Sequence, residues 1–186
     1  TLFRSSYEAF NGCSGLENIK VSDGNKTFDS RNNCNAIIET ATNVLIRGCK
    51  NTVIPDSVTE IGEYAFDAIS DLTSIIIPDS VSKINAGAFR DCISLTKITI
   101  PVSVTKIGYS AFAGCTGFSS IVIPEKVAAI NSFIFDRCSG LTSIKVSETN
   151  KTYDSRNNCN AIIETATNKL ITGCRNTIIP DSVTEM

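Results

Sequence analysis

The chain of 186 residues contains no histidine, no tryptophan and a single methionine, and its 17 cationic and 19 anionic side chains nearly cancel. Each absence narrows the chemistry. Without histidine there is no Ser-His or Cys-His pair, and a thiol with no neighbouring base or helix terminus to lower its pKa is a poor nucleophile. Zinc binding is disfavoured for a related reason: there is no C-x-x-C spacing, so a site would need widely separated thiolates. No tryptophan and only four tyrosines leave little aromatic surface for stacking on sugar rings. A net charge of -2 with interspersed signs offers no basic stripe to a phosphate backbone. The longest aliphatic runs, such as Ile75-Ile76-Ile77, are far too short to span a bilayer. No enzymatic activity, cofactor, metal, nucleic-acid partner or membrane span is expected.

What is present is repetition, carried by a chain that is 42% hydrophobic and therefore apolar enough to fold. Pro55, Pro78, Pro101 and Pro124 are 23 residues apart, and Phe66, Phe89, Phe112 and Phe135 keep the same step. So do Val58, Val81, Val104 and Val127, and Ile61, Ile84, Ile107 and Ile130. One unit reads L-x-x-I-x-I-P-x-x-V-x-x-I-G-x-x-A-F-x-x-C-x-x. The leucine column runs Leu16, Cys49, Leu72, Leu95, Phe118, Leu141 and Cys174, with steps of 33, 23, 23, 23, 23 and 33. Residues 16–48 and 141–173 are thus long coils, units enlarged by ten residues. Residues 13–61 and 138–186 agree at 39 of 49 positions, loops and core columns alike, as a duplicated five-repeat block requires.

In L-x-x-I-x-I the first and last isoleucines of the strand share one side and the residue between them takes the other, because side chains alternate at period 2. The proline that follows cannot donate a ladder hydrogen bond and suits the strand's end. V-x-x-I is a second extended stretch. Gly62, Asn85, Gly108 and Asn131 come next, and glycine and asparagine accept positive φ most readily, so a left-handed turn is expected there. A-F-x-x-C reads as a tight helical turn. A single unit cannot bury these columns, but stacked neighbours make them continuous, so the fold class is a β-rich solenoid. About seven coils are expected, with strands about 4.8 Å apart, short helical turns and a right-handed superhelical path. Thr40 to Asn43 and Thr165 to Asn168 sit between apolar stretches and predict β-hairpins projecting from the wall.

IPDSVTEIGEYAF at 54–66, IPVSVTKIGYSAFAGC at 100–115 and SRNNCNAIIETATN in both long coils resemble the BspA-like leucine-rich repeats, common in surface and secreted proteins of Bacteroidales and other mucosal microbes. The resemblance covers nearly the whole chain. Ile69 in the cysteine column, Phe118 in the leucine column and Val102 in place of Asp or Asn depart from the pattern in packing detail. The resemblance implies extracellular or cell-surface display and adhesion to host proteins or other cells. The segment 1–186 is expected to be one stretch of a longer array, since Leu2 stands in the valine column and Met186 in the second isoleucine column, and such exposed ends favour end-to-end association.

The cysteines divide by column. Cys13, Cys92, Cys115 and Cys138 precede the leucine position by three and are expected reduced and buried. Cys34 with Cys49, and Cys159 with Cys174, bracket the hairpins, so either reduced packing or a disulfide suits them. Asp29 with Arg31 and Asp154 with Arg156 are the best polar clusters and read as loop ion pairs. Asn25-Lys26-Thr27 and Asn150-Lys151-Thr152 are sequons that matter only in a eukaryotic secretory pathway. The candidate partner surface is the outward column Lys20, Val53, Ile76, Thr99, Val122, Lys145 and Ile178, bordered by Thr73, Ser74, Thr96, Lys97, Ser119 and Ser120. Two function classes follow: a protein-interaction or adhesion module, whose partner is a host matrix or cell-surface protein, and a glycan-capturing module or spacer for an attached catalytic domain.

Overall fold

The computed structural model describes residues 9, 10, 13 and 15–186. Its strands in chain order are β1 (Phe28–Asp29), β2 (Ala36–Glu39), β3 (Val44–Gly48), β4 (Glu60–Ile61), β5 (Lys83–Ile84), β6 (Lys106–Ile107), β7 (Ser120–Ile123), β8 (Ala129–Ile130), β9 (Ser143–Val146), β10 (Tyr153–Asp154), β11 (Ala161–Glu164) and β12 (Lys169–Gly173). Two 3₁₀ turns, Arg31–Asn33 and Arg156–Asn158, lie in the long coils. The fold is a β-solenoid with mostly parallel pairing. Its regularly paired part runs β3-β4-β5-β6-β8, about four turns rather than seven, because each long coil pairs antiparallel within itself.

The continuous ladder is built from V-x-x-I, with Ile61, Ile84, Ile107 and Ile130 in register. On the leucine face a full rung forms only between β7 and β9; elsewhere the described pairing shrinks to a bridge between Ser74 and Lys97. Proline removes the last bond from the short-coil strands. Ser147 occupies the proline column, and its N–H donates to Ile123 O at 2.9 Å. Pro78, Pro101 and Pro124 have no such donor, so the ladder stops one residue earlier in the short coils.

The A-F-x-x-C segments stack most closely. Tyr64, Phe66 and Ala68 donate to the carbonyls of Ala86, Ala88 and Arg90 in the next coil at 2.8–2.9 Å. Ala65, Asp67 and Ile69 donate instead to Gly62, Tyr64 and Phe66 within their own coil. Alternate amides therefore close local turns and bind the neighbour, and the pattern recurs at Gly87, Phe89 and Asp91 and at Ser110, Phe112 and Gly114. This path needs left-handed residues in two columns: Tyr64, Gly87, Ser110 and Phe133, then Ala68, Asp91, Gly114 and Arg137, with φ between +51° and +73°. The expected left-handed positions are displaced by two residues. Gly62 and Gly108 serve close approach instead: a Cβ would lie 2.6 Å from Leu45 O and 2.5 Å from Ala86 N, respectively.

Inside this path the phenylalanines form a pile. Phe66–Phe89 and Phe89–Phe112 stack at 5.1 and 5.6 Å between ring centroids, and Phe112–Phe135 at 6.0 Å. Beside them Cys92, Cys115 and Cys138 each direct the thiol at the carbonyl oxygen 26 residues earlier, of Phe66, Phe89 and Phe112, at 3.0–3.1 Å. Cys13 breaks the column and is exposed. All eight cysteines are free, which leaves Cys34, Cys49, Cys159 and Cys174 as packed thiols.

The hairpins do not project. β2 and β3 pair antiparallel with a bulge between Ile37 and Ile38, and β3 is the first rung of the parallel sheet. Ala36, Ile38 and Leu45 are fully buried, which no appendage could achieve. The quoted motif around Asp29 works as a clamp on this wall. Arg31 binds Asp29 bidentately, Nε to Oδ1 at 2.8 Å and Nη2 to Oδ2 at 2.6 Å, while Nη1 reaches Asn43 Oδ1 at 2.6 Å and Ser57 Oγ at 3.3 Å. Thr40 Oγ1 donates to Asp29 Oδ2 at 3.0 Å. Arg156 repeats the set with Asp154, Asn168 and Ser182. One guanidinium thus ties strand, turn and following coil together, the fork geometry that distinguishes arginine from lysine.

Two predictions follow from these contacts. The Arg31 hydrogen bonds hold the Asp29 carboxyl down at about 2, against 3.8 ordinarily. For Asp154, burial pushes the carboxyl up but the Arg156 bonds outweigh it, and the net direction is again down. A depressed folded pKa means the clamps contribute fully above about pH 4 and are lost as pH falls toward 2. Denaturant unfolding from pH 5 to 2 should show a shallower pH slope for Asp29→Asn/Asp154→Asn than for wild type; identical slopes would refute the assignment. In a timed alkylation of folded protein, Cys13 should react at once and Cys92, Cys115 and Cys138 only after unfolding. Rapid labelling of these three, or a disulfide-linked peptide containing any of them, would contradict the packing.

Candidate functional site

All seven residues of the outward column are exposed, with Ile76 at 86%, Ile178 at 74%, Val53 at 71% and Val122 at 56%. Their inward neighbours explain the orientation: partly buried Ile75 and buried Ile77 flank Ile76, and buried Ile121 and Ile123 flank Val122. The fold does not bring all seven together. Val53 and Ile76 line one groove of about 650 Å³ that also includes Ile75, Ile77 and the carboxylate-bearing Asp56 and Asp79. Val122 stands beside Lys145 across the β7–β9 pair. Lys20 and Ile178 are set apart by the long coils: Val53 N–H donates to Cys34 O, and Ile178 N–H to Cys159 O, both at 3.0 Å, so segments of each long coil intervene. The continuous part is therefore Val53, Ile76, Thr99, Val122 and Lys145, with hydroxyls of Thr73, Ser74, Thr96, Ser119 and Ser120 exposed along it.

The remaining sequence candidates take structural roles. Asn150 is 8% exposed; its Nδ2 donates to Pro124 O and Val127 O at 2.7 and 3.0 Å, and its Oδ1 accepts from Thr152 and Tyr153. That side chain braces the second long coil against the one before it. Asn25 is exposed, with Oδ1 capping the Thr27 and Phe28 amides. Burial pushes the Cys92 thiol up to about 12 and Cys138 up to about 11. Burial and the adjacent Cys92 and Cys138 push Cys115 up as well. Thiols of this kind stay protonated and packed. Among the described residues no cluster of three or more Cys, Asp or Glu is placed to hold a metal ion, and no helix is long and apolar enough to cross a membrane.

A second exposed surface escaped the column analysis. Tyr109 and Phe133 meet edge to face, with ring centroids 5.6 Å apart, and are 50% and 59% exposed. They lie on the A-F side, opposite in role to the strand face. Phe133 belongs to a column otherwise filled by Tyr64, Gly87 and Ser110, so no shared hydrophobicity marks it. The only signal in the sequence is a bulky residue at 133 where earlier coils vary.

The family model for the BspA type leucine rich repeat region matches residues 46–167 in six copies. Among solved structures, the chain is similar to a leucine rich cell surface protein from Faecalibacterium prausnitzii A2-165, with 34% identity and a TM-score of 0.65 over 74% of this chain and 37% of that one. The pneumococcal vaccine antigen PcpA shares the fold at 23% identity and a TM-score of 0.65, over 71% of this chain and 33% of that one. A leucine-rich repeat protein from Bacteroides capillosus ATCC 29799 matches at 25% identity and a TM-score of 0.51, over 60% of this chain and 92% of that one. No curated protein matches. The chain spans about a third of the first two structures, and its columns, its stacked coils and the match over residues 46–167 agree: it belongs to the BspA-type leucine-rich repeat proteins.

Proposed function

We propose that this segment is a non-catalytic protein-interaction module displayed outside the cell, and that its partner, a host matrix or cell-surface protein, docks on the strand face at Val53, Ile76, Thr99, Val122 and Lys145. The carrying observation is the exposure of Ile76 at 86% in a row with Val53 and Val122. Contiguous exposed aliphatic surface carries a standing cost in water and commonly marks an interaction site. Small hydroxyl side chains along the row let a flat partner approach closely, and the groove between Val53 and Ile76 offers a pocket for an apolar anchor. The description of the Faecalibacterium relative as a cell surface protein supports external display.

Replacing Ile76 and Val122 together by aspartate in the full-length protein tests the reading. Both side chains point to solvent, so the thermal midpoint should hold while binding to cells or immobilised matrix proteins falls by roughly tenfold or more, as for loss of a central anchor. Unchanged binding by a folded variant would refute the strand face. The hairpin tips at Thr40 to Asn43 and Thr165 to Asn168 would then be examined next.

A further inference from the structure

The residue after the proline position forms an acidic column beside the strand face: Asp23, Asp56, Asp79, Glu125, Glu148 and Asp181, with Val102 alone breaking it. On two of these coils the outward position is itself a cation, Lys20 on the coil of Asp23 and Lys145 on the coil of Glu148. Only one pair of successive coils has aliphatic side chains at both outward positions and carboxylates at both turns: Val53 and Ile76 with Asp56 and Asp79. These four side chains line the groove of about 650 Å³ on the strand face.

The strand through Val53 is bonded to the long coil behind it and parts from the coil ahead. Val53 N–H donates to Cys34 O at 3.0 Å and Thr52 Oγ1 to Asn35 O at 2.7 Å, while among the described residues no backbone hydrogen bond joins 51–54 to 74–77. The acidic rim is nevertheless fixed. Val58 and Val81 N–H close the two turns onto Pro55 O and Pro78 O at 2.9 and 3.0 Å, and Ser80 Oγ donates to Val58 O at 2.6 Å. Among the described residues neither Asp56 nor Asp79 has an ion pair or a side-chain hydrogen bond, and the lysines nearest in sequence are engaged elsewhere, Lys50 with Glu17 and Lys83 with Glu60. Arg31, whose Nη1 reaches Ser57 Oγ at 3.3 Å, is held by Asp29. Two like charges on successive coils repel, and a cation placed between them gains from both.

We propose that this groove takes a lysine side chain of the partner protein, its stem lying on Val53 and Ile76 and its ammonium reaching Asp56 and Asp79. The inference rests on docking at the strand face and adds what the partner must carry there. Lysine is apolar along its length and charged at its tip, so it covers aliphatic surface while its head stays at the wet carboxylate rim. An aliphatic anchor would leave both carboxylates unserved. The planar fork of arginine matches a single carboxylate, whereas a compact ammonium with three rotatable donors can serve two carboxylates from different coils.

The probe is Nα-acetyl-lysine N-methylamide, titrated into isotopically labelled full-length protein while the Val53 and Ile76 methyl resonances are followed. These should shift and saturate, with the Val122 methyls unmoved. Nα-acetyl-norleucine N-methylamide, which has the stem without the ammonium, and methylammonium, which has the head without the stem, should each bind at least about tenfold more weakly. Asp56→Asn/Asp79→Asn, at two exposed positions, should lower the lysine affinity to that of the norleucine compound. Absence of saturable shifts with the lysine compound, or an equal response to methylammonium, overturns the proposal. Adhesion of the full-length protein to cells or immobilised matrix proteins separates it from the strand-face reading. Loss of binding in Ile76→Asp/Val122→Asp but not in Asp56→Asn/Asp79→Asn keeps the strand face and refutes the lysine, and loss in neither refutes both. Loss in both, reproduced with the wild type when the partner's lysines are acetylated, supports the proposal.

Discussion

The constraint on which the rest of the structure depends is that each coil must hand its outward amides to the next. In the A-F segments alternate N–H groups are spent locally and the others are offered, all in one direction, to carbonyls 22 residues later. Backbone groups buried between coils have no water to turn to, so an unmade bond is costly. This requirement explains why residues as unsuited to left-handed backbone as Tyr64, Ala68 and Asp91 adopt it. Each such residue costs roughly 1–2 kcal/mol, and a neighbouring row of hydrogen bonds offsets it.

Polarity follows from direction. At the start of the regular stack the carbonyl side is met by the first hairpin: Gly48 N–H donates to Ala65 O at 2.8 Å, and Arg47, 4% exposed, donates to Tyr64 O and Asp67 O. A buried guanidinium is acceptable there because several carbonyls converge on it. The corresponding residue of the second copy is Thr172, one of the ten differences between the two passages of 49 residues. The duplicated block therefore keeps its clamps, Asp29 with Arg31 and Asp154 with Arg156, while the buried guanidinium of Arg47 is replaced by the hydroxyl of Thr172.

Much of the architecture was legible from spacing. Steps of 23 and 33 define the coils, period-2 alternation separates Ile77 from Ile76, and the inward columns of Val, Ile and Phe form the core. What spacing could not show is how neighbouring backbones meet. Gly62 looked like a conformational choice and proved to be a clearance, since a side chain there would strike Leu45 O. The hairpins looked like appendages because their tips are polar, but Ala36, Ile38 and Leu45 face the core. The continuity of the candidate surface was overestimated for a similar reason: Lys20 and Ile178 are in the column by count, while the segments through Cys34 and Cys159 separate them from it.

Those separations have a geometric consequence. Arg175 N–H donates to Leu141 O at 3.1 Å, so the strand that follows the second long coil begins in contact with the strand that opens it. Three residues later Ile178 is bonded to Cys159 instead. The two strands diverge, and the extra ten residues fill the space between them. On the opposite wall the same coil contributes three antiparallel strands where a short coil contributes one rung. Each long coil thus widens the solenoid on both walls, by the segment through Cys159 on the strand face and by β10, β11 and β12 on the other.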